Sequence, residues 1–203
     1  QMVASAPAFE EALLLWDTDD KAQSIEPWPE RDEEWLFQAL VLGVQDYALK
    51  SGVTKICLGL SGGIDSSVLA VIATKALGKD SVLGVLLPTR FTSPASTEDA
   101  LLLAGRLNIR SLLCPIDELF KYYERLFGEL VNGVPQSITM ENIQPRIRMT
   151  VLMGLANEER RLLLNTSNKS EIATGYATLY GDSAGALAVL GDLTKDRIYA
   201  LAR

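Results

Sequence analysis

Apolar and polar residues alternate in blocks along most of the chain, and the blocks have two typical lengths. Four short apolar runs, over residues 55–60, 81–88, 111–116 and 161–167, have the length of buried strands. Around them, apolar residues recur with helical spacing over 33–52, 66–78, 94–108, 117–130, about 140–159, 169–176 and 194–203. Strands that alternate with helices predict an α/β fold with a doubly wound, mostly parallel sheet.

Residues 1–34 follow a different pattern. An apolar run over 11–18 predicts one short strand, and Pro27 and Pro29 in the polar stretch after it resist regular structure, so we interpret this region as an N-terminal linker segment. It holds ten acidic and two basic residues, whereas residues 35–203 hold sixteen acidic and seventeen basic ones. The nearly neutral body lacks the basic excess of nucleic-acid-binding proteins, so we expect no nucleic-acid partner.

The composition of the chain limits where the protein can be located and which side chains can take part in its chemistry. The sequence has no apolar run of about 18 residues and no secretion signal, so we expect no membrane partner and a cytoplasmic location. Cys57 and Cys114 lie in apolar runs and are predicted to be buried, reduced thiols. The chain has no histidine, which removes the commonest general base. Its chemistry must therefore use carboxylates, hydroxyls, Lys, Arg, backbone dipoles or a hard cation.

Polar segments follow the ends of the predicted strands. They are SGGIDSS at 61–67, PTRFTS at 88–93, PIDE at 115–118 and TSNKSE at 166–171. Asp117 in the third segment is predicted to be the N-cap of the next helix. Since parallel sheets bind ligands beyond the carboxyl ends of their strands, these segments are the predicted site.

The segment at 61–67, between a strand and a helix, carries the strongest signal. Gly62 and Gly63 let the backbone turn sharply and approach a ligand, and the helix after them offers free N–H groups to a phosphate. The lysine of the common nucleoside-triphosphate loop is missing. Asp65 would repel a bare phosphate, so it favours a Mg²⁺ ion between the two; a simple N-cap is the alternative. For the whole segment, the alternative is an ordinary strand–helix turn.

The pattern S-G-G-x-D-S resembles the pyrophosphate-binding loop of the ATP pyrophosphatases that release AMP. Three further stretches, PTRFTSPASTEDA at 88–100, ENIQPRIRM at 141–149 and NTSNKSEIATGYATLYGD at 165–182, look like NAD synthetase. The resemblance implies an adenine-nucleotide alpha-hydrolase-like, Rossmann-like fold. It also implies that residues 1–32 are a glutaminase-domain remnant with its linker, and that 33–203 are a synthetase domain whose C-terminal part is missing.

This resemblance implies a reaction as well. Deamido-NAD is amidated to NAD through an adenylated nicotinate carboxylate, with ATP and Mg²⁺ as cofactors and AMP and pyrophosphate as products. Ammonia comes from glutamine, as in the glutamine-dependent branch, and the protein is a homodimer or higher homo-oligomer. No side chain is expected to act as a nucleophile or base. The alternatives are another AMP-forming amidoligase of the GMP synthetase type and a nucleotide-binding module without turnover.

The site residues are carried over from the family's motifs. The ATP-binding set is Ser61, Gly62, Gly63, Asp65, Ser66, Ser67, Arg90, Thr166 and Lys195. Asp65 and Glu171 are the implied Mg²⁺ ligands, and the substrate-binding set is Asn142, Arg146 and Glu171; Lys169 is a candidate without a role. The alternative for Glu171 and Lys195 is an ordinary solvated charge. Ile143, Ile147, Val151 and Leu155 resemble a dimer interface, with a plain core stripe as the alternative, and Pro145 is expected to shift Arg146.

Overall fold

A computed structural model describes residues 4–17, 19 and 32–203 of the chain. The described helices are α1 (Asp32–Lys50), α2 (Ile64–Leu77), α3 (Pro94–Leu107), α4 (Asp117–Leu130), α5 (Ser137–Glu158), α6 (Lys169–Thr174) and α7 (Lys195–Leu201). The described strands are β1 (Ile56–Gly59), β2 (Val82–Leu86), β3 (Arg110–Leu113), β4 (Leu162–Asn165) and β5 (Leu187–Ala188). All four predicted strands and all the predicted helices of residues 33–203 are confirmed. None of the described helices is long and apolar enough to cross a membrane.

The strands form one sheet in the order β3-β2-β1-β4-β5, and every neighbouring pair is parallel. The chain builds outward from β1 through β2 to β3, and then crosses back to place β4 on the other side of β1. Ile56 in β1 is thus opposite both Val82 and Leu162. This reversal of direction is the switch point where open α/β sheets bind ligands.

Helices cover the sheet on both faces, as predicted for a doubly wound fold. Side chains of β1 alternate between the faces, because successive residues of a strand point in opposite directions. Ile56 and Leu58 pack with Leu69 and Ile72 of α2, in a cluster that also takes in residues of α1, α3 and α7. Cys57 packs instead in a second cluster, with residues of α4 and α5 such as Phe120 and Leu152. The two layers hold α2 and α5 on opposite faces of β1.

Some local predictions are wrong. Residues 11–17 form no strand, and the last residue of that predicted strand lies outside the described residues. Asp117 is the first residue inside α4 rather than its N-cap, which is Ile116; its carboxylate accepts the backbone N–H of Arg90 instead, at 3.2 Å. The short strand β5 lies in a stretch that the sequence pattern left as a loop.

The proline inside α5 causes no interruption. Pro145 lies in a helix that runs from Ser137 to Glu158. Its ring packs near Gly181, where an added Cβ would lie 3.0 Å from the Cβ of Pro145. The glycine therefore lets the loop after α6 approach α5 closely at the proline.

Candidate functional site

The segment 61–67 is the centre of the site; it joins the turn after β1 to the first turn of α2, and we call it the 61–67 loop. Gly62 has a φ of 82°, in the left-handed region that favours glycine. A Cβ on Gly62 would lie 2.2 Å from the backbone oxygen of Ser96 in the first turn of α3. The turn therefore requires glycine both for its conformation and for its close approach to α3.

Serine hydroxyls hold this loop in shape. The hydroxyls of Ser66 and Ser67 donate to the backbone oxygen of Gly63, at 3.0 and 2.8 Å. The backbone N–H groups of Ser61 and Gly63 donate to the hydroxyls of Ser66 and Ser61, at 3.3 and 3.2 Å. Gly63 is the N-cap of α2 and offers no side-chain oxygen to the first turn. The positive end of α2 is therefore left for an anion.

Asp65 and Glu171 are connected through Asn168, a fully buried residue at the N-cap of α6. The amide nitrogen of Asn168 donates to Oδ1 of Asp65 at 3.2 Å. Its amide oxygen accepts the backbone N–H of Glu171 at 3.0 Å, and Oε2 of Glu171 accepts the backbone N–H of Asn168 at 3.1 Å. This capping box fixes one carboxylate oxygen of Glu171. The two predicted metal ligands thus come from the N-termini of two neighbouring helices.

Lys195 completes this group. Its ammonium group forms an ion pair with Oδ2 of Asp65, and the two side chains are 38% and 17% exposed. The backbone N–H of Lys195, at the start of α7, donates to the hydroxyl of Ser170 in α6 at 3.1 Å. The fold therefore brings Asp65, Glu171 and Lys195 close together from three separate segments, whereas their contacts with Mg²⁺ and ATP stay predictions. The backbone N–H of Lys169 donates to the oxygen of Leu193 at 2.9 Å, and its side chain is exposed.

A cleft of about 570 Å³ opens beside the 61–67 loop, at the carboxyl ends of β1, β2 and β4. Its walls combine apolar side chains, among them Val85, Leu152 and Leu163, with the polar residues Ser61 and Thr166. The amide of Asn165, at the end of β4, donates to the backbone oxygens of Asp182 and Ala184 at 2.8 and 2.9 Å. That contact attaches the loop after α6 to the rim of the cleft. An apolar pocket with a few polar groups is typical of a site for a small molecule or a cofactor.

Arg90 lies in the segment that follows β2, but its side chain points to α4. Its guanidinium pairs with Glu124 at 2.9 Å and with Asp117 at 3.2 Å, and it lies over the rings of Phe91 and Phe120. It is absent from the described lining of the cleft, whereas Phe91 is part of it. The contact with ATP implied for Arg90 therefore stays a prediction.

Asn142 and Arg146 also lie outside the described lining of the cleft. Both contact the loop after α6: Thr178 donates its hydroxyl to Oδ1 of Asn142 at 2.9 Å, and Nε of Arg146 donates to the backbone oxygen of Leu179 at 3.0 Å. The structure thus brings together α5 and the segment 178–182, which carry two of the family's motifs. Their contact with a substrate stays a prediction.

Sequence reasoning missed two residues of the site. Asn168 lies in the motif at 165–182, and the pattern N-x-x-E marks it as half of a capping box. Arg148 lines the cleft from α5, and its Nε donates to the backbone oxygen of Leu87 at 3.1 Å. Burial lowers the pKa of its guanidinium, and the charge of Asp182 opposes this effect. Periodicity could not assign it, because arginines recur throughout the second half of the chain.

Cys57 is buried within the sheet, as predicted, and burial raises the pKa of its thiol to about 11. The charges of Arg161 and Glu159 act on it in opposite directions. Cys114 is only partly buried, which corrects the prediction for this residue; both cysteines are free thiols. A thiol with so high a pKa is a poor nucleophile at neutral pH, so Cys57 is a packing residue.

Comparison with known proteins places these features in one family. A family model described as NAD synthase matches residues 36–203. The glutamine-dependent NAD(+) synthetase of Thermotoga maritima is 49% identical over 179 residues, which are 88% of this chain and 31% of that protein. The glutamine-dependent NAD+ synthetase of Acinetobacter baumannii, solved in complex with ADP, superposes with a TM-score of 0.86 and 38% identity, over 90% of this chain and 34% of that one.

A shorter relative matches over most of its own length. The NH3-dependent NAD synthetase of Campylobacter jejuni, solved with a nitrate ion, has a TM-score of 0.78 and 34% identity, over 85% of this chain and 72% of that one. The chain thus spans about a third of the glutamine-dependent relatives and most of the ammonia-dependent one. The family predicted from the motifs is confirmed, and the chain belongs to the NAD synthase family.

Proposed function

We propose that this chain carries the ATP-dependent step that amidates deamido-NAD to NAD, with release of AMP and pyrophosphate. The observation that carries the proposal is the 61–67 loop beside Lys195 and the cleft. A hydroxyl-rich turn at the start of α2 suits a pyrophosphate group, and the adjoining apolar cleft suits the adenosine part of the same molecule. The family match favours this reaction over that of a GMP synthetase.

The proposed chemistry needs positioning rather than a side-chain nucleophile. A carboxylate oxygen of the nicotinate attacks the α-phosphorus of ATP, and the bond to the β-phosphate breaks. Ammonia then attacks the activated carbonyl carbon, AMP leaves, and the nitrogen loses a proton to water. The N–H groups of the 61–67 loop and the ammonium group of Lys195 stabilise the charge on the departing pyrophosphate. A chain without histidine can perform this work.

The residues around Asp65 fit Mg²⁺ as the cofactor. Mg²⁺ takes oxygen ligands and is usually held by one or two carboxylates together with substrate phosphates. Among the described residues, no group of three or more His, Cys, Asp or Glu side chains could hold a metal ion by itself, and Asp65 and Glu171 supply the two carboxylates that this mode requires. The ammonium group of Lys195, already beside Asp65, indicates a position where a cation is stable. When bound there, Mg²⁺ would neutralise phosphate oxygens.

The partners are part of the proposal. Asn142, Arg146 and Glu171 are the proposed contacts of deamido-NAD, with ammonia derived from glutamine in a protein whose glutaminase domain precedes residue 33. The stripe predicted as a dimer interface packs in the core instead, as its alternative had it: Ile143, Ile147, Val151 and Leu155. A homodimer is supported by exposed apolar side chains around the turn between α4 and α5, namely Leu130, Val131, Val134 and Ile138. A cytoplasmic location agrees with the two free cysteines, since disulfides predominate in oxidising compartments.

The direct test is to mix the purified protein with ATP, Mg²⁺, deamido-NAD and ammonium, and to separate the products by chromatography. NAD, AMP and pyrophosphate are expected in equal amounts. Formation of ADP and phosphate would contradict the proposed bond cleavage. With glutamine as the sole nitrogen source, in ammonia-free buffer, no NAD and no glutamate are expected, because the buried Cys57 thiol is unreactive and no histidine can activate Cys114.

A second function is a nucleotide-binding module without turnover. It is favoured by the coverage, because the chain spans about a third of the glutamine-dependent relatives. Calorimetry of ATP binding, together with the assay of NAD formation, separates the two functions. Binding of ATP with Mg²⁺ and no NAD at any ammonium concentration would favour the module, whereas NAD formation would exclude it.

A further inference from the structure

Arg148 is an incompletely paired cation in the wall of the cleft. Its Nε donates to the backbone oxygen of Leu87, but its two terminal nitrogens donate to no described residue. No buried side-chain nitrogen or oxygen of the described residues lacks a hydrogen-bond partner. The terminal nitrogens of the half-buried Arg148 are therefore accessible to water, and Arg148 is one of the residues that line the cleft.

Other arginines near the sheet have carboxylate partners. Arg90 pairs with Glu124, and Arg110 and Arg161 both pair with Glu159. Arg148 takes part in none of the ion pairs among the described residues, although Asp182 is close enough for its charge to raise the pKa of Arg148. Burial is the larger effect and lowers that pKa. Partial burial of an unpaired charge costs free energy, and an anionic ligand in the cleft would offset this cost.

The position of Arg148 indicates which anion it meets. The 61–67 loop leads into α2 on one face of the sheet, and Arg148 extends from α5, which packs on the other face. In a displacement at phosphorus, the entering and leaving oxygens lie roughly in line on opposite sides. If the 61–67 loop holds the leaving pyrophosphate, the entering carboxylate approaches from the side of α5. The planar fork of a guanidinium matches both a carboxylate and a phosphoryl group.

We propose that Arg148 is a substrate-binding residue whose terminal nitrogens hold an anionic oxygen of the adenylation step, on the α-phosphoryl group or on the entering carboxylate. This inference rests on the proposed function and adds a residue to it. It also assigns a cation to the wall of the cleft that α5 forms.

The test compares charged and uncharged ligands by isothermal titration calorimetry. Arg148→Met removes the charge at similar length, Arg148→Lys keeps the charge without the fork, and Arg106→Met changes an exposed arginine of α3 as the matched control. The first ligand pair is AMP and adenosine, which differ by the phosphoryl group. The second pair is deamido-NAD and NAD, which differ by a carboxylate in place of a carboxamide. Circular dichroism and thermal melting check that each variant folds.

If Arg148 holds the phosphoryl group, Arg148→Met should lower the affinity for AMP about 10- to 100-fold and leave the affinity for adenosine unchanged. If Arg148 holds the carboxylate, the affinity for AMP should be unchanged in Arg148→Met. The preference for deamido-NAD over NAD that the wild-type protein shows should then fall in this variant by a similar factor. In either case Arg148→Lys should lie between the wild type and Arg148→Met, and Arg106→Met should match the wild type.

Two results would overturn the inference while leaving the proposed function intact. One is unchanged affinity for all four ligands in Arg148→Met. The other is an equal loss for adenosine and AMP, which would indicate that Arg148 only supports Leu87. A wild-type protein that binds neither adenosine nor AMP would instead refute the proposed nucleotide site, and the role of Arg148 with it. Failure to form NAD with an intact charge-dependent AMP affinity would refute only the proposed turnover.

Discussion

The two ends of the parallel sheet both carry charged networks, but these networks differ in how completely they are paired. At the amino end, the side chain of Arg161 is only 5% exposed; it pairs with Glu159 at 2.8 Å and donates to the backbone oxygens of Ile56 and Ser81 at 3.1 and 3.0 Å. Arg110 reaches the same carboxylate at 2.8 Å. All three charged side chains of this network have partners within the protein, so we call the network closed.

At the carboxyl end, the charged side chains lie at the surface of the protein or at the cleft. Asp65 pairs with a partly exposed Lys195, and Arg148, which lines the cleft, forms no ion pair with a described residue. The difference teaches that residue type alone does not separate structural from functional charges; the completeness of pairing does. Substitutions at the amino end should therefore lower stability without changing binding, and substitutions at the carboxyl end should do the opposite.

The largest expected effect is at the carboxyl end. Asp65→Asn and Glu171→Gln should each slow NAD formation by about 10²- to 10³-fold, because each removes a positioned charge from the phosphate region. Gln at 171 can still accept the N–H of Asn168, so the cap of α6 should remain and the melting temperature should change little. Initial rates at matched Mg²⁺ measure the effect, with Asp196→Asn in the first turn of α7 as the control. Wild-type rates in both variants would mean that these carboxylates are structural.

The converse substitution is at the amino end. Arg161→Met should lower the free energy of unfolding by about 3 kcal/mol, since it leaves two backbone oxygens without their donor and leaves the carboxylate of Glu159 with Arg110 alone. Affinity for ATP in the folded protein should be unchanged. Urea denaturation measures the stability, and the exposed neighbour Arg160→Met is the control. A variant as stable as the wild type would show that the closed network adds nothing, and the comparison would fail.

A smaller effect is expected within the 61–67 loop. Gly62→Ala places a Cβ 2.2 Å from the oxygen of Ser96, so the loop or α3 must shift. We expect affinity for ATP to fall about tenfold and the free energy of unfolding to fall by about 1–2 kcal/mol. Gly105→Ala, in α3 with no atom within 4 Å of the added Cβ, is the control and should be slightly stabilising. Unchanged ATP affinity in Gly62→Ala would remove this loop from the site.

The smallest expected effect is a pH dependence at the amino end. Hydrogen bonds from Arg161 and Arg110 hold the pKa of Glu159 below its ordinary value of 4.5. A lowered carboxyl pKa adds stability that is complete above the unfolded value and is lost as pH falls through the folded value. Below pH 4.5 the wild type should therefore lose stability more steeply than Glu159→Gln, as urea midpoints would record. Some dependence should remain in the variant, because the N–H of Arg90 lowers the pKa of Asp117; equal slopes would contradict the assignment.

Much of the fold followed from the sequence because buried strands and amphipathic helices carry strong periodic patterns. β5 was missed because a strand of two residues, Leu187 and Ala188, has no period to detect. The strand predicted at 11–18 failed for the opposite reason, since an apolar run becomes a strand only beside a partner strand. The glycines and serines of the site were visible as a local motif. Arg148 lies in the motif at 141–149, but its incomplete pairing could not be predicted, because that depends on three-dimensional packing.

The strand order also has a consequence for how the molecule folds. β1 pairs with β2, which follows it closely in sequence, and with β4, which is far along the chain. The chain segment that must close to form the pair is therefore much longer for β1 and β4 than for β1 and β2. We expect β1, α2 and β2 to form first and β4 to dock late. The cleft, which needs β4 as well as β1, would then be the last part of the core to appear. Pulsed hydrogen exchange should show protection of Leu83 before Leu163, and simultaneous protection would point to a single concerted step.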